Sequence, residues 1–408
     1  MTTVFEPAAP TGPGLTERVI DLRGRMLEFI DGEVFPLEKT LDAGGPTAEA
    51  ALDGLRAQAR ERGLWALGHP EDLGGAGLSF MEFVHLNEII GRSEFGLLAV
   101  GSMTQHDTIM WNRFGTEAQK RRWLDPLVSG KYQWIGIGLT EPEVAGSDPT
   151  QMQTTAVLDG TGDDAEWVIN GHKWFTSWAS ASPAVLVWAK TDPDAKPHRQ
   201  FSAIIVPVDT PGYTHVRDIR TMGSVTGRHG EIRFDNVRVP KDNLFGQRGE
   251  AFTIAQIRLG PGRIFHCMRW LGQMQRAFEL MCDRARTRYA HGSLLHEKGE
   301  IRRYIAESAA DIQAHRLMTL DAARTLDEGG DDRVAISLIK FRGAEYLHNV
   351  IDRAIQVYGA AGVTEDFPLE SMYRHARYAR IYDGPDEVHR MVVARTLVQP
   401  DAVPPWRR

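Results

Sequence analysis

Cysteine is nearly absent: Cys267 and Cys282 are the only two among 408 residues. That is too few for a disulfide framework or a Cys-based zinc site. No H-E-x-x-H helix is present, HEKGE at 296–300 included, and the histidines are scattered, so no metal is expected. Long apolar runs are missing. Stretches such as residues 184–189 fall far short of the roughly 20 residues needed to span a bilayer, so no integral membrane association is expected. Positive charge is not in excess: 47 Lys and Arg face 54 Asp and Glu, a net −7. That balance argues against a nucleic-acid partner while leaving room for a local basic pocket around a phosphorylated cofactor. There is no G-x-G-x-x-G after a strand and no P-loop lysine, so a Rossmann dehydrogenase is not expected. The opening MTTVFEPAAPTGPG has no basic segment before an apolar one, and it reads as a flexible lead-in, not a signal peptide. With so little cysteine, a reducing, cytoplasmic location is the expectation.

What is present is ordinary for a globular protein: 42% apolar, 25% charged and 9% aromatic residues. At roughly 150 residues per domain the length suggests about 2.7 domains, and three textures appear. Residues 14–130 read helical, with TERVIDLRGRMLEFIDGEVF and MEFVHLNEIIGRS separated by the turn-forming PEDLGGAGLS at 70–79. Residues 131–245 switch to period two. Glu231 to Asp235 alternate, Asn236 breaks the phase before Val237 and Val239, and residues 183–190 and 201–208 are short apolar strands. In EWVINGHKWFTS the Asn170-Gly171 pair predicts a two-residue hairpin turn, pairing Ile169 with His172 and Trp167 with Trp174. That register sets Trp174 and Thr176 on one face of one strand. Residues 246–400 return to long helices, with Leu347, Val350, Ile351, Ala354, Ile355 and Tyr358 in an i, i+3, i+4 stripe.

The segment WIGIGLTEPEVAGSD, 134–148, ends a β-like run in Thr140, Glu141 and Pro142, then enters a small-residue loop. Such a loop lets backbone N–H groups approach an anion or a polar ring edge, though a capped turn has the same composition. TEP…AGSD followed by KWFTS resembles the flavin-binding middle domain of the acyl-CoA dehydrogenase family. The resemblance runs in order through about 390 residues. GLWALGHPEDLGGAGLS is similar to the family's N-terminal helical domain. RLGPGRIFHCMRWLG and ARTRYAHGSLLHE are similar to the start of its C-terminal domain. IQVYGAAGVTEDFPLESMYRHARYARIYDGPDEVHR is similar to the segment that completes the flavin site and carries the base. The resemblance implies an α+β fold: an N-terminal helical domain, a central small β-barrel or sandwich domain, and a C-terminal four-helix bundle. Two departures stand out. The loop between Pro142 and Gly146 is one residue longer than the common form, and I-Y-E-G-T is replaced by Ile381, Tyr382, Asp383, Gly384 and Pro385. Both features resemble the aspartate-base branch that includes human acyl-CoA dehydrogenases 10 and 11.

The family reaction, FAD-dependent conversion of an acyl-CoA to a trans-2-enoyl-CoA, implies that Asp383 removes the α-proton while hydride passes to flavin N5. The α C–H needs hydrogen bonds to the thioester oxygen, in the family from the base residue's own N–H and a ribityl hydroxyl. Aspartate is shorter than glutamate by roughly 1.5 Å, so its backbone must sit nearer the substrate, and Pro385 after Gly384 suits such a shift. For the cofactor the resemblance implies Ile137, Leu139, Thr140, Gly146, Ser147, Trp174, Thr176, Pro385 and Glu387. It further implies Arg288, Gln356, Gly359 and Gly362 for the FAD of a neighbouring subunit, and Ser147, Gly260, Arg263 and Gly384 near the CoA. His291 replaces the usual Phe, and Ala360 a usual Gly. The resemblance implies a homo-oligomer, a dimer or a dimer of dimers, and an electron-transfer flavoprotein as acceptor. Two other readings stay open on sequence: a nitroalkane-oxidase-like flavin oxidase, which also uses an aspartate, and a non-catalytic FAD-binding scaffold. The branch includes members acting on long, branched or 4-oxygenated chains, and the sequence does not choose among them.

Overall fold

The computed structural model describes residues 12, 14–101, 105–222, 228–330 and 333–407. Most of the N-terminal lead-in, residues 1–11 and 13, therefore lies outside the described residues. Helices come first: α1 (Glu17–Phe29), α2 (Glu38–Ala43), α3 (Gly45–Glu61), α4 (Phe80–Ile90), α5 (Gly96–Ala99), α6 (Gln105–Phe114), α7 (Glu117–Gln119) and α8 (Asp125–Val128). Their starts obey local chemistry. Thr16 caps α1 through the Val19 N–H, and Ser79 with Glu82 forms a reciprocal capping box on α4.

Among the described residues eight strands follow: β1 (Gly136–Gly138), β2 (Thr155–Asp159), β3 (Glu166–Ser177), β4 (Ala184–Lys190), β5 (Phe201–Pro207), β6 (Tyr213–Ile219), β7 (His229–Pro240) and β8 (Leu244–Phe245). They form one mixed sheet in the order β6-β7-β3-β2-β4-β5-β8, with β1 running parallel to β4. Asn236 does break the alternation: it takes a positive φ of 49° at a register shift in β7. The hairpin expected at Asn170-Gly171 is overturned. β3 runs straight through both residues and pairs with β7 on one side and β2 on the other, Asn170 opposite Thr155. Gly171 serves close approach, not a turn, because a Cβ there would lie 2.3 Å from Thr154 Oγ1. The i, i+2 argument for Trp174 and Thr176 falls with it. A bulge between Lys173 and Thr176, with Phe175 at φ 52°, sets Lys173 opposite Ile232 and Thr176 opposite Gly230.

The last zone holds α9 (Ala251–Thr287), a two-residue hairpin β9 (Tyr289–Ala290) and β10 (Ser293–Leu294), then α10 (Gly299–Asp327), α11 (Arg333–Tyr358), α12 (Leu369–Ala379) and α13 (Asp386–Leu397). The helical ends of the chain share one core: Met26, Phe83 and Ile90 pack with Phe265, Met268, Leu347 and Ile351. Buried Glu88 of α4 binds Arg316 of α10 across that core. A second cluster joins one sheet face (Leu186, Trp188, Phe245) to Trp111 and the first turn of α9. α9 thus leaves the β core and enters the helical core, and Pro261 lies inside it near that passage.

Candidate active site

The chain between α12 and α13 is pinned by its own backbone. Asp383 takes φ 53° and Gly384 φ 102°. Aspartate is among the few non-glycine residues that accept the left-handed region. A Cβ on Gly384 would meet His389 Nε2 at 2.7 Å. The Asp383 carbonyl accepts from Arg263 Nε at 2.9 Å and lies 3.2 Å from His389 Nε2. Buried Lys340 of α11 donates to the Ala379 carbonyl at 2.8 Å and reaches the Gly384 carbonyl at 3.4 Å. Tyr382 is fixed by Trp270 Nε1, which donates to its hydroxyl at 2.9 Å. These contacts set where the Asp383 carboxylate stands, with its side chain 22% exposed.

Asp383 Oδ2 lies 3.1 Å from His266 Nε2, and Arg269 Nη2 lies 2.7 Å from His266 Nδ1. Burial works to raise the Asp383 pKa, but the His266 hydrogen bond and the nearby Arg258 and Arg263 charges hold it well below the usual carboxylate range. Burial, aided by Arg269, pushes His266 down to about 4. Burial likewise takes Lys340 down to about 8, against the pull of Asp383. Arg258 is ion-paired to Asp107 of α6 and lies 2.9 Å from His106 Nε2. The His106 ring is 6.2 Å from that of Trp134, which leads into β1.

The β-domain half is organised by a buried ion pair. Lys173 Nζ donates to Glu141 Oε1 and to the Leu139 carbonyl, each at 2.9 Å, and Glu141 accepts the Gln153 and Thr154 N–H groups at 2.6 and 2.9 Å. Both side chains are buried. Burial favours neutral forms, yet the pair holds Glu141 below its usual range, and Lys173 falls to about 8. The segment Leu139–Glu141 is thereby fixed beside β3. The Thr140 carbonyl accepts from the Trp174 N–H at 3.0 Å, and a Cβ on Gly146 would lie 3.1 Å from Thr140 Cγ2. A Cβ on Gly136 would lie 3.1 Å from Thr176 Cγ2. Trp174 Nε1 and Thr176 Oγ1 are both buried with no hydrogen-bond partner. Orphaned buried donors call for an explanation, and a ring edged with polar heteroatoms fits them. FAD suits this donor set.

Two groups of sequence-derived residues are therefore assembled. Thr140, Gly146, Trp174 and Thr176 adjoin on the sheet, with Ile137 and Leu139 partly buried beside them and Ser147 exposed in the loop. Arg263, Asp383, Gly384 and Pro385, the N-cap residue of α13, converge around the loop between α12 and α13, with half-buried Gly260 one turn before Arg263 and exposed Glu387 in the first turn of α13. Arg288, Gln356 and Gly359 do not join them. They are exposed near the adjoining ends of α9 and α11, where Arg284 lies 5.2 Å over the Tyr358 ring, and Gly362 is buried just beyond. Sequence reasoning missed His266, Arg269, Lys340, the Arg258–Asp107 pair and the Glu141–Lys173 pair. A signal did exist for the first two: Arg263, His266 and Arg269 recur every third residue, which places them along one side of a helix.

The chain matches three acyl-CoA dehydrogenase domains in order: N-terminal over residues 16–131, middle over 136–237 and C-terminal over 249–398. It is 42% identical over 399 residues to FadE2 of Mycobacterium tuberculosis, named as a probable acyl-CoA dehydrogenase, covering 93% of this chain and 95% of that protein. It is 40% identical to acyl-CoA dehydrogenase family member 10 of Mus musculus, covering 94% of this chain but 37% of that longer protein. Among solved structures, an acyl-CoA dehydrogenase from Geobacillus kaustophilus aligns with a TM-score of 0.83 at 26% identity, over 95% of this chain and all of that one. An acyl-CoA dehydrogenase complexed with FAD from Bacillus anthracis aligns with a TM-score of 0.80 at 25% identity, over 94% of this chain and 67% of that one. The three domain matches, the relatives and the orphaned polar atoms on β3 agree, and the chain belongs to the acyl-CoA dehydrogenase family, as an FAD-dependent oxidoreductase.

Proposed function

We propose that the protein removes two hydrogens from an acyl-CoA to give a trans-2-enoyl-CoA, with Asp383 as the base. The observation that carries this is the placement of Asp383. A carboxylate kept ionised stands on a loop whose carbonyls are tied down by Arg263 and Lys340. That arrangement leaves the Asp383 N–H and carboxylate side by side, one to polarise the thioester oxygen and one to accept the α-proton. Bound FAD supplies the acceptor for the β-hydrogen and its electron pair. Trp174 and Thr176 orient the ring, and Gly146 and Ser147 let the backbone approach the pyrophosphate. Arg263 and Gly260, with Ser147 and Gly384, lie along the CoA. Substrate entry dries the site and raises the carboxylate pKa toward neutrality, where proton transfer is most efficient.

Residues 14–130, 131–245 and 246–400 act as three domains in this reading. Exposed Arg288, Gln356 and Gly359 complete the flavin site of a neighbouring copy in a dimer of dimers. Electrons pass on to an electron-transfer flavoprotein, and the protein works in the cytoplasm. The test is anaerobic flavin bleaching by a panel of acyl-CoAs differing in length and 4-substitution, with Asp383→Asn alongside. Asp383→Asn should retain its flavin yet reduce it at least about a hundredfold more slowly. Near-normal reduction would remove Asp383 from the role. Turnover of a nitroalkane with oxygen, without any acyl-CoA response, would favour the oxidase.

A further inference from the structure

α9 presents Arg263, His266 and Arg269 along one side, and the base loop lies against that side. The hydrogen-bond roles there are fixed by elementary chemistry. A guanidinium has only donors, so Arg269 Nη2 at 2.7 Å from His266 Nδ1 requires a lone pair on Nδ1. The neutral imidazole then carries its proton on Nε2, and that N–H donates to Asp383 Oδ2 at 3.1 Å. The tautomer is set from behind by an arginine, and the carboxylate is aimed from the front by the ring. The Tyr382 ring packs against His266 at 4.8 Å between centroids, tilted by 53°, and limits its rotation.

We propose that His266 is a positioning residue for Asp383: an Arg269–His266–Asp383 chain of hydrogen bonds orients the carboxylate and keeps it ionised before substrate arrives. The proposal rests on Asp383 being the base. A charged imidazole would lose the Nδ1 acceptor and face Arg269 at contact distance, so the neutral ring is the stable partner, consistent with its pKa of about 4. The surrounding charges act on the same chain. Arg258 and Arg263 of α9 and Lys340 of α11 are cationic, while His106 and Asp107 of α6 and His389 of α13 complete the titratable neighbours. His266 Nε2 meets a carboxylate oxygen of Asp383 directly, at 3.1 Å.

The test compares His266→Leu, which removes the donor, with His266→Gln, whose amide nitrogen sits at the same number of bonds from Cα as Nε2. The holoenzyme is assayed by stopped-flow flavin reduction across pH, with Asp383→Asn as the reference. His266→Leu should slow reduction about ten- to a hundredfold at pH 7 with KM changed less than about threefold, and an acid limb should enter its kcat/KM profile above about pH 5, where the wild type has none. His266→Gln should recover at least half of the lost rate and push that limb back down. A His266→Leu profile with near wild-type rate and no limb above about pH 5, with Asp383→Asn inactive, overturns the positioning role and leaves the base intact. An active Asp383→Asn overturns the base itself. If His266→Leu loses its flavin, 15N spectra of histidine-labelled wild type decide: a protonated Nε2 and bare Nδ1 on His266 support the chain, and the reverse tautomer overturns it.

Discussion

Asp383 combines a reactive side chain with a left-handed backbone at φ 53°, and this makes its substitutions unequal. Asparagine tolerates that region nearly as well as aspartate, so Asp383→Asn changes the proposed proton acceptor and leaves the backbone as it is. Asp383→Glu adds both reach and backbone strain. It should cost roughly 1–2 kcal/mol in denaturant unfolding and also lower activity, because the loop is pinned where the shorter acid fits. The pH response has a definite sign. A carboxylate whose folded pKa is depressed stays ionised until pH falls through that low value, and its contribution to stability is present above the unfolded pKa of about 3.9 and lost below it. The wild-type kcat/KM should therefore show no acid limb from Asp383 down to about pH 5. A limb near pH 6 in the free enzyme would contradict the depressed pKa. The buried Lys173–Glu141 pair gives the other residue-scale prediction. Lys173→Met strands a buried carboxylate and should cost about 3–5 kcal/mol, and adding Glu141→Gln should restore much of it. Calorimetric melts of the two variants decide this. Asp383, Thr140, Thr176 and Trp174, proposed as base and ring contacts, could be singled out because they sit inside local strings. Glu141 and Lys173 were not, since a pair 32 positions apart carries no local signal.

At the scale of elements, composition located the strands and helices but misread one glycine. Asn170-Gly171 has the ideal turn composition, yet the two-residue turn with both φ positive occurs at His291-Gly292, at 49° and 84°, between Ala290 and Ser293. The difference is tertiary: Thr154 on the neighbouring segment needs the space a side chain at 171 would fill. The two glycines should therefore fail differently. Gly171→Ala should lose about 1–3 kcal/mol through overpacking, and Thr154→Ala should recover part of it. Gly292→Ala meets nothing within 4 Å and should lose only about 1 kcal/mol, through φ alone. Urea midpoints of the three variants check both. Equal losses would mean that space at 171 is not the reason for its glycine.

Across the whole molecule, the helical ends of the chain close over one core while the sheet stands between them in sequence. Order along the chain, which the motifs follow from residue 134 to residue 390, did not reveal that sharing, because hydrophobic periodicity says which face is buried and not against what. The exposed cluster at Arg288, Gln356 and Gly359 gives the assembly prediction. Arg288→Ala should lower FAD retention about tenfold in dialysed protein without shifting the melting temperature of the apoprotein, and light scattering should find no FAD-replete monomer. α9 carries Arg263 and His266 in its middle and ends just before Arg288. At about 1.5 Å and 100° per residue, the helix is a ruler and a phase-keeper between the base and the proposed contact with a neighbour's flavin. Inserting a single alanine after Met274 would advance Arg288 by only about 1.5 Å but swing it roughly a quarter-turn away. A length change that a surface loop absorbs would here, in the proposed assembly, uncouple one copy's chemistry from the next copy's cofactor.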